Sequence, residues 1–132
     1  MVQVDLSLPM LRAAHSLAEK TRWWRRLWRR SAVRVCGDLE RLPLATSSAG
    51  MIWCNLAYPW CDLETALREA HRVLAPKGLL LFSAFGPDSL RELRAAFQSV
   101  DEAPHVHSFG DMHNMGDALV QGGPAFDAKR LQ

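Results

Sequence analysis

Two polar side chains stand where short apolar runs end. Val33-Arg34-Val35-Cys36 runs into Gly37-Asp38, and Met51-Ile52-Trp53-Cys54 runs into Asn55. Such runs predict strands. In an open α/β sheet a ligand sits in the crevice outside the carboxyl ends of the strands. A carboxylate accepts hydrogen bonds and an amide both donates and accepts, so Asp38 and Asn55 form a candidate ligand site. The other reading of each is local: a turn aspartate after a strand, and a loop asparagine satisfied by its neighbours. No G-x-G-x-x-G turn precedes the pair, so the usual backbone cradle for a nucleotide-like cofactor is absent from this stretch. No Ser/His/Asp or Cys/His arrangement suited to nucleophilic catalysis stands out.

Three further groups invite chemistry. Asp5 ends the apolar opening Val2-Gln3-Val4 and stands beside Ser7, where a helix-capping role is the plain reading. His105, His107, Asp111 and His113 are residue types that suit zinc or iron. A loop with surface histidines is the preferred reading, and no metal is expected. Arg22-Trp23-Trp24-Arg25-Arg26-Leu27-Trp28-Arg29-Arg30 interleaves cations with aromatics. That pattern can hold nucleic acid or an anionic bilayer. The preferred reading is a helix end with Trp24 and Trp28 inward and Arg25, Arg26, Arg29 and Arg30 forming an exposed basic patch.

The elements that must position these groups follow from the pattern. A helix capped by Ser7, with Pro9 in its first turn, places Met10, Ala14, Leu17, Thr21, Trp24 and Trp28 on one face. Asp62 caps a helix carrying Leu63, Ala66, Leu67, Ala70, Val73 and Leu74, and Ala75-Pro76-Lys77-Gly78 stops it. Leu79–Ser83 reads as a strand buried on both faces. A Ser89-x-x-Glu92 capping box opens a helix with Leu90, Leu93, Phe97 and Val100 along its stripe. A last helix covers Met112–Val120. Strands alternating with helices argue an α/β domain with a mostly parallel sheet. The 132 residues are enough for one domain, and 48% of them are apolar, enough for a real core. The net charge is only +2, so the arginine run is a local concentration. Met1 is followed by no basic segment and long apolar run, so neither a secretory leader nor a membrane span is expected. The three cysteines lack a C-x-x-C pair; reduced thiols and a cytoplasmic location are expected.

Taken together, these residues resemble the class I S-adenosylmethionine-dependent methyltransferases. The branch they are most similar to is the malonyl-acyl-carrier-protein O-methyltransferases of biotin synthesis. The resemblance rests on Asp5-Leu6-Ser7 with Pro9-Met10-Leu11, on Cys36-Gly37-Asp38-Leu39-Glu40 with Leu42-Pro43-Leu44, and on Trp53-Cys54-Asn55-Leu56-Ala57 with Trp60-Cys61. It continues through Arg72-Val73-Leu74, Pro76 and Gly78, then Phe85-Gly86-Pro87-Asp88-Ser89-Leu90, Pro104-His105-Val106 and Asp111-Met112-His113 to Gly116-Asp117-Ala118-Leu119-Val120. The Pro-x-Gly turn is shared across the superfamily; the Asn-Leu-Ala and Phe-Gly-Pro-Asp pieces are more specific to this branch. Pro59 and Lys77 stand where glutamine and glycine are commoner.

The resemblance implies an incomplete Rossmann-like core: a single partial domain over residues 1–132, its pattern lost after about Gly122. The family's first strand, with its Gly-rich turn, has no counterpart here, nor do its last two strands. In the family that first strand lies between the counterparts of Val2–Asp5 and Met51–Asn55, so these two are expected to pair directly or to be completed by a second chain. Asp5, with Leu6 beside it, is implied to accept the ribose hydroxyls of S-adenosylmethionine. Asp38 is implied to accept from the adenine amino group while the Leu39 N–H donates to the ring, and Asn55 to lie near the amino-acid end. The implied reaction moves a methyl group to the free carboxylate of a malonyl thioester, with weak or absent cofactor binding and impaired activity. An acidic acyl-carrier protein is the implied partner, steered by Arg25, Arg26, Arg29 and Arg30. The readings set against this are a cofactor-free module that contacts an acidic protein and, less favoured, a nucleic-acid binder.

Overall fold

The computed structural model describes residues 1–20, 32–98, 100, 101, 103, 105 and 109–121. Its order is β1 (Val2–Asp5), α1 (Leu8–Lys20), β2 (Val33–Cys36), β3 (Ala49–Asn55), a 3-10 turn (Tyr58–Trp60), α2 (Leu63–Val73), β4 (Leu74–Ser83), α3 (Arg91–Gln98) and α4 (Met112–Gln121). β1 pairs with β2 and β3 pairs with β4, both in parallel. Helices connect the parallel strands, as the alternating sequence pattern requires. The proposed basic patch at Arg25, Arg26, Arg29 and Arg30, the inward tryptophans and His107 lie outside the described residues.

The core is built on one face of β3–β4. Asp62 accepts from the Thr65 N–H at 3.0 Å and so caps α2. The apolar spacing of α2 then buries Ala66, Leu67, Ala70 and Val73. Cys54, Tyr58, Ala66, Leu67 and Leu119 form one cluster, with Leu80, Phe82 and Leu39 against it. The Tyr58 and Phe82 rings meet edge to face at 5.2 Å, a geometry their quadrupoles favour. Gly78 is required where β4 begins its long paired run. A Cβ there would lie 2.8 Å from the Ala75 carbonyl oxygen and 2.9 Å from Leu74. Beside it, Lys77 takes φ 65°, the left-handed region that glycine fills without strain.

Four expectations are corrected. β1 and β3 do not pair; among the described residues the sheet consists of two separate two-stranded pairs. The connection between them is pinned to α2 and its cap. Arg72 donates to the carbonyls of Leu42 and Leu44, and Glu40 accepts from the Asp62 N–H. Next, Leu79–Ser83 is not buried on both faces: Leu79 and Leu81 are each 52% exposed. Within α1 the buried residue is Leu11, while Met10, Ala14 and Leu17 face outward. Among the described residues the helix rests on β1 and β2, and it meets the Arg34 guanidinium through His15 and the Ala14 carbonyl. Finally, the Ser89 hydroxyl accepts from the Gly86 N–H instead of capping a helix. α3 starts at Arg91, beyond the reach of that box.

Candidate functional site

The loops that leave β2 and β3 meet. β2 ends at Cys36, and the chain turns at once through Gly37 into Asp38. A Cβ on Gly37 would lie 2.7 Å from the Pro43 ring and 3.3 Å from Val4, so only glycine lets the returning Leu42-Pro43-Leu44 segment close over this turn. Asp38 Oδ1 accepts from the Glu40 N–H at 3.0 Å, and the Asp38 carbonyl accepts from the Arg41 N–H at 3.2 Å. This Asx turn exposes the Asp38 carboxylate. Leu39 packs against the core cluster, and its N–H has no protein acceptor among the described residues. Glu40 reaches across to the Asp62 N–H at 2.7 Å. The carboxyl ends of β2 and β3 therefore open on one edge.

Asn55 stands at the tip of β3, opposite Ser83 in the register of β4. The Ser83 hydroxyl donates to Asn55 Oδ1 at 2.7 Å, which leaves the Asn55 NH₂ as an outward donor. Leu56 follows with φ 54°, a sparsely populated conformation for a leucine. Its N–H donates to the Ser83 carbonyl at 3.1 Å. This sharp exit from the strand carries Ala57 and Tyr58 into the core. Asp5 ends β1 beside Cys36. Asp5 Oδ1 accepts from the Ser7 N–H at 2.7 Å, and Ser7 Oγ in turn accepts from the Met10 N–H at 3.4 Å. One Asp5 oxygen thus serves the helix start, as the plain reading of that residue expects, and the other is uncommitted. Leu6 is exposed and its carbonyl accepts from the Cys36 thiol at 3.4 Å.

Asp38 stands in the turn after β2 and Asn55 at the end of β3. Glu40 and Ser83 were missed. Glu40 is a tether visible only through a contact 22 residues away in sequence. Ser83 was open to discovery, because the strand register puts it beside Asn55 on the same face. Cys54 and Cys61 are poor nucleophiles. Burial raises the Cys54 thiol pKa, opposed by hydrogen bonds from Ala57 and Tyr58. Burial, aided by the charges of Glu40, Asp38 and Asp62, pushes Cys61 up to about 11. Both stay protonated at neutral pH. His105 pairs with Asp101 at 2.6 Å and stacks on Phe97, and His113 pairs with Asp111 at 3.1 Å. Among the described residues no three metal-ligating side chains converge, and no helix is long and apolar enough to cross a membrane.

What these turns offer is a set of acceptors and donors for a polar ligand: the Asp5 and Asp38 carboxylates, the Leu39 N–H and the Asn55 amide. Residues 1–82 match the family model described as "Methyltransferase domain". The chain is 45% identical to the malonyl-[acyl-carrier protein] O-methyltransferase of Gallionella capsiferriformans, an alignment covering 98% of this chain and 46% of that one. It is 47% identical to the enzyme of the same name from Laribacter hongkongensis, over 98% and 45% of the two chains. The chain thus spans less than half the length of these relatives. The fold overlays on the YcgJ protein of Bacillus subtilis with a TM-score of 0.67 at 21% identity, over 92% of this chain and 50% of that one.

Proposed function

The chain belongs to the methyltransferase-domain family, and on that premise we propose that it carries the adenosine-binding part of a malonyl-acyl-carrier-protein O-methyltransferase. The observation that supports this reading most is the shared edge built by the Glu40–Asp62 link, with Asp38 exposed and the Leu39 N–H open. The donor set suits S-adenosylmethionine. Asp5 retains a free carboxylate oxygen for ribose hydroxyls. Asp38 accepts from the adenine amino group, and the Leu39 N–H donates to the ring. Asn55, its carbonyl oxygen engaged by Ser83, turns two N–H donors toward a carboxylate.

When bound, the cofactor supplies an electrophilic methyl group on a sulfonium. Transfer to an ionised malonyl carboxylate needs no proton removed and no protein nucleophile, which agrees with an edge rich in positioning groups and poor in reactive ones. Holding reactants in line contributes roughly 7–11 kcal/mol in well-oriented systems. The protein's task is to fix the nucleoside, exclude its wrong orientations and present the carboxylate. An acidic carrier protein is the partner that Arg25, Arg26, Arg29 and Arg30 would steer by charge. Replacing these four by serine should slow association and flatten its salt dependence.

Nucleoside contacts alone leave the amino-acid end without a backbone cradle, so this chain by itself binds S-adenosylmethionine weakly. Calorimetric titration tests this. The expected result is weak binding that Asp38→Ala diminishes further. Tight stoichiometric binding would overturn the claim of an incomplete site, and an affinity unchanged in Asp38→Ala would remove Asp38 from the adenine contact.

A further inference from the structure

One residue of β4 holds the end of β3 twice. The Ser83 carbonyl accepts from the Leu56 N–H at 3.1 Å, and the Ser83 hydroxyl donates to Asn55 Oδ1 at 2.7 Å. Between these two bonds Leu56 takes φ 54°. A left-handed leucine persists only where its surroundings over-determine it, and such residues gather at ligand sites. Packing does not ask for this arrangement. Cys54 and Phe82, one residue earlier on each strand, face the core. The period-2 alternation turns Asn55 and Ser83, partners in register, to the opposite face. Asn55 is exposed, and among the described residues its NH₂ group has no partner.

An unrestrained primary amide offers an acceptor and two donors, and a half-turn of its plane exchanges them. The Ser83 hydroxyl removes that freedom. With Oδ1 engaged, the outward edge of Asn55 carries N–H donors only. The reversed amide would turn its NH₂ to Ser83 and leave the hydroxyl proton without an acceptor in the protein. We propose that Ser83 is a positioning residue that makes Asn55 a donor-only subsite, so that this strand end selects a carboxylate over an ammonium or amine. A carboxylate only accepts and an ammonium only donates. A site that presents donors alone therefore leaves an ammonium unpaired, and such mismatches discriminate strongly. Two carboxylates have the required chemistry: the amino-acid end of the cofactor and the free carboxylate of the acceptor. The inference deepens the methyltransferase reading and rests on it for the identity of these two.

The test is NMR of the full chain, following the Asn55 side-chain NH₂ resonances during titration to millimolar concentration. One pair of probes is S-adenosylhomocysteine and its decarboxylated form, which keeps the ammonium. The other is malonyl-pantetheine and its methyl ester. The NH₂ resonances should move with a carboxylate-bearing probe, and that probe should bind about tenfold tighter than its partner, as a hydrogen bond to a charged group allows. A preference in the first pair assigns the subsite to the cofactor, and one in the second pair assigns it to the acceptor. Ser83→Ala should erase the preference and Ser83→Thr, which keeps the hydroxyl, should restore it. A preference that survives Ser83→Ala would overturn the proposal, as would NH₂ resonances that no carboxylate probe moves. So would an equal loss in Ser83→Ala for every probe, 5′-methylthioadenosine included, because the hydroxyl would then only support the fold. If no nucleoside binds while malonyl-pantetheine still shows the Ser83-dependent preference, the adenosine reading falls and the subsite stands.

Discussion

The two parallel pairs of this molecule are unequal. Beneath β3–β4 lie two helices, an edge-to-face ring pair and several side chains under 3% exposed. Beneath β1–β2, among the described residues, lies α1, which buries Leu11 over a strand pair whose covered side carries Gln3 and Arg34. Gln3 Oε1 and Arg34 Nε are buried there without a partner among the described residues. Unpaired buried polar atoms cost roughly 1–3 kcal/mol each. The stable half thus holds the scaffold. The weaker half contributes Asp5 and leads into the Asp38 turn, and it is joined to the scaffold through Glu40, Arg72 and Pro43. On the proposed function the rigid half supplies Asn55 and the weaker half supplies Asp5 and Asp38, and binding segments are commonly drawn from the less stable part of a fold.

The largest expected effect probes the inequality directly. Leu67→Ala, in a site 2% exposed, should cost about 3–5 kcal/mol in urea unfolding, the upper range for a core leucine. Leu11→Ala should cost about 2 kcal/mol, the low end for a buried leucine, because the thinner β1–β2 half can relax around the space left. Equal losses would break the comparison. Gly37→Ala comes next. The added methyl meets the Pro43 ring at 2.7 Å and should cost about 1–3 kcal/mol as overpacking. It should also move the Glu40 and Arg41 amide resonances, since the Asp38 turn is seated there. Lys77→Gly should be stabilising by about 1 kcal/mol, because it relieves a left-handed lysine.

The smallest effect concerns acid. Arg72 donates to Glu69 at 2.6 and 2.7 Å and holds its carboxyl below the ordinary value of 4.5. A carboxylate whose pKa is lower when folded adds stability above its unfolded pKa, and that increment is lost as pH falls through the folded value. Below about pH 4.5 the melting temperature of the natural chain should therefore fall more steeply than that of Glu69→Gln. Parallel curves would mean that the pair does not help clamp the connection.

Local signals in the sequence were reliable where local physics decides. The Asp62 cap, the 3.6-residue stripe of α2 and the polar residues ending β2 and β3 were all legible, because each depends on neighbours a turn or a strand apart. The resemblance located the family from motifs of the same kind. Exposure was not legible. The run Leu79–Ser83 has the composition of a doubly buried strand, yet composition does not say whether a second layer is present. The inner face of α1 was misread because a stripe of Met10, Ala14 and Leu17 competes with Leu11, and the narrow two-strand floor settles which side turns in. Glu40 and Arg72 act over 22 to 30 residues of sequence, a distance at which no periodicity points to a partner. Lys77 illustrates a signal left unused: its departure from the commoner glycine was noted without any reading of strain, and the residue takes φ 65°.

The claim that matters most is that one edge, shared by the turns after β1, β2 and β3, receives the nucleoside. Amide-resolved NMR of the full chain, titrated with S-adenosylhomocysteine to millimolar concentration, tests it most directly. The account predicts shifts at Leu39 and Glu40, with smaller ones from Leu6 to Ser7 and at Leu56, and their loss in Asp38→Ala. Shifts confined to the far side of α2, or an Asp38→Ala spectrum that responds as the natural chain does, would contradict it.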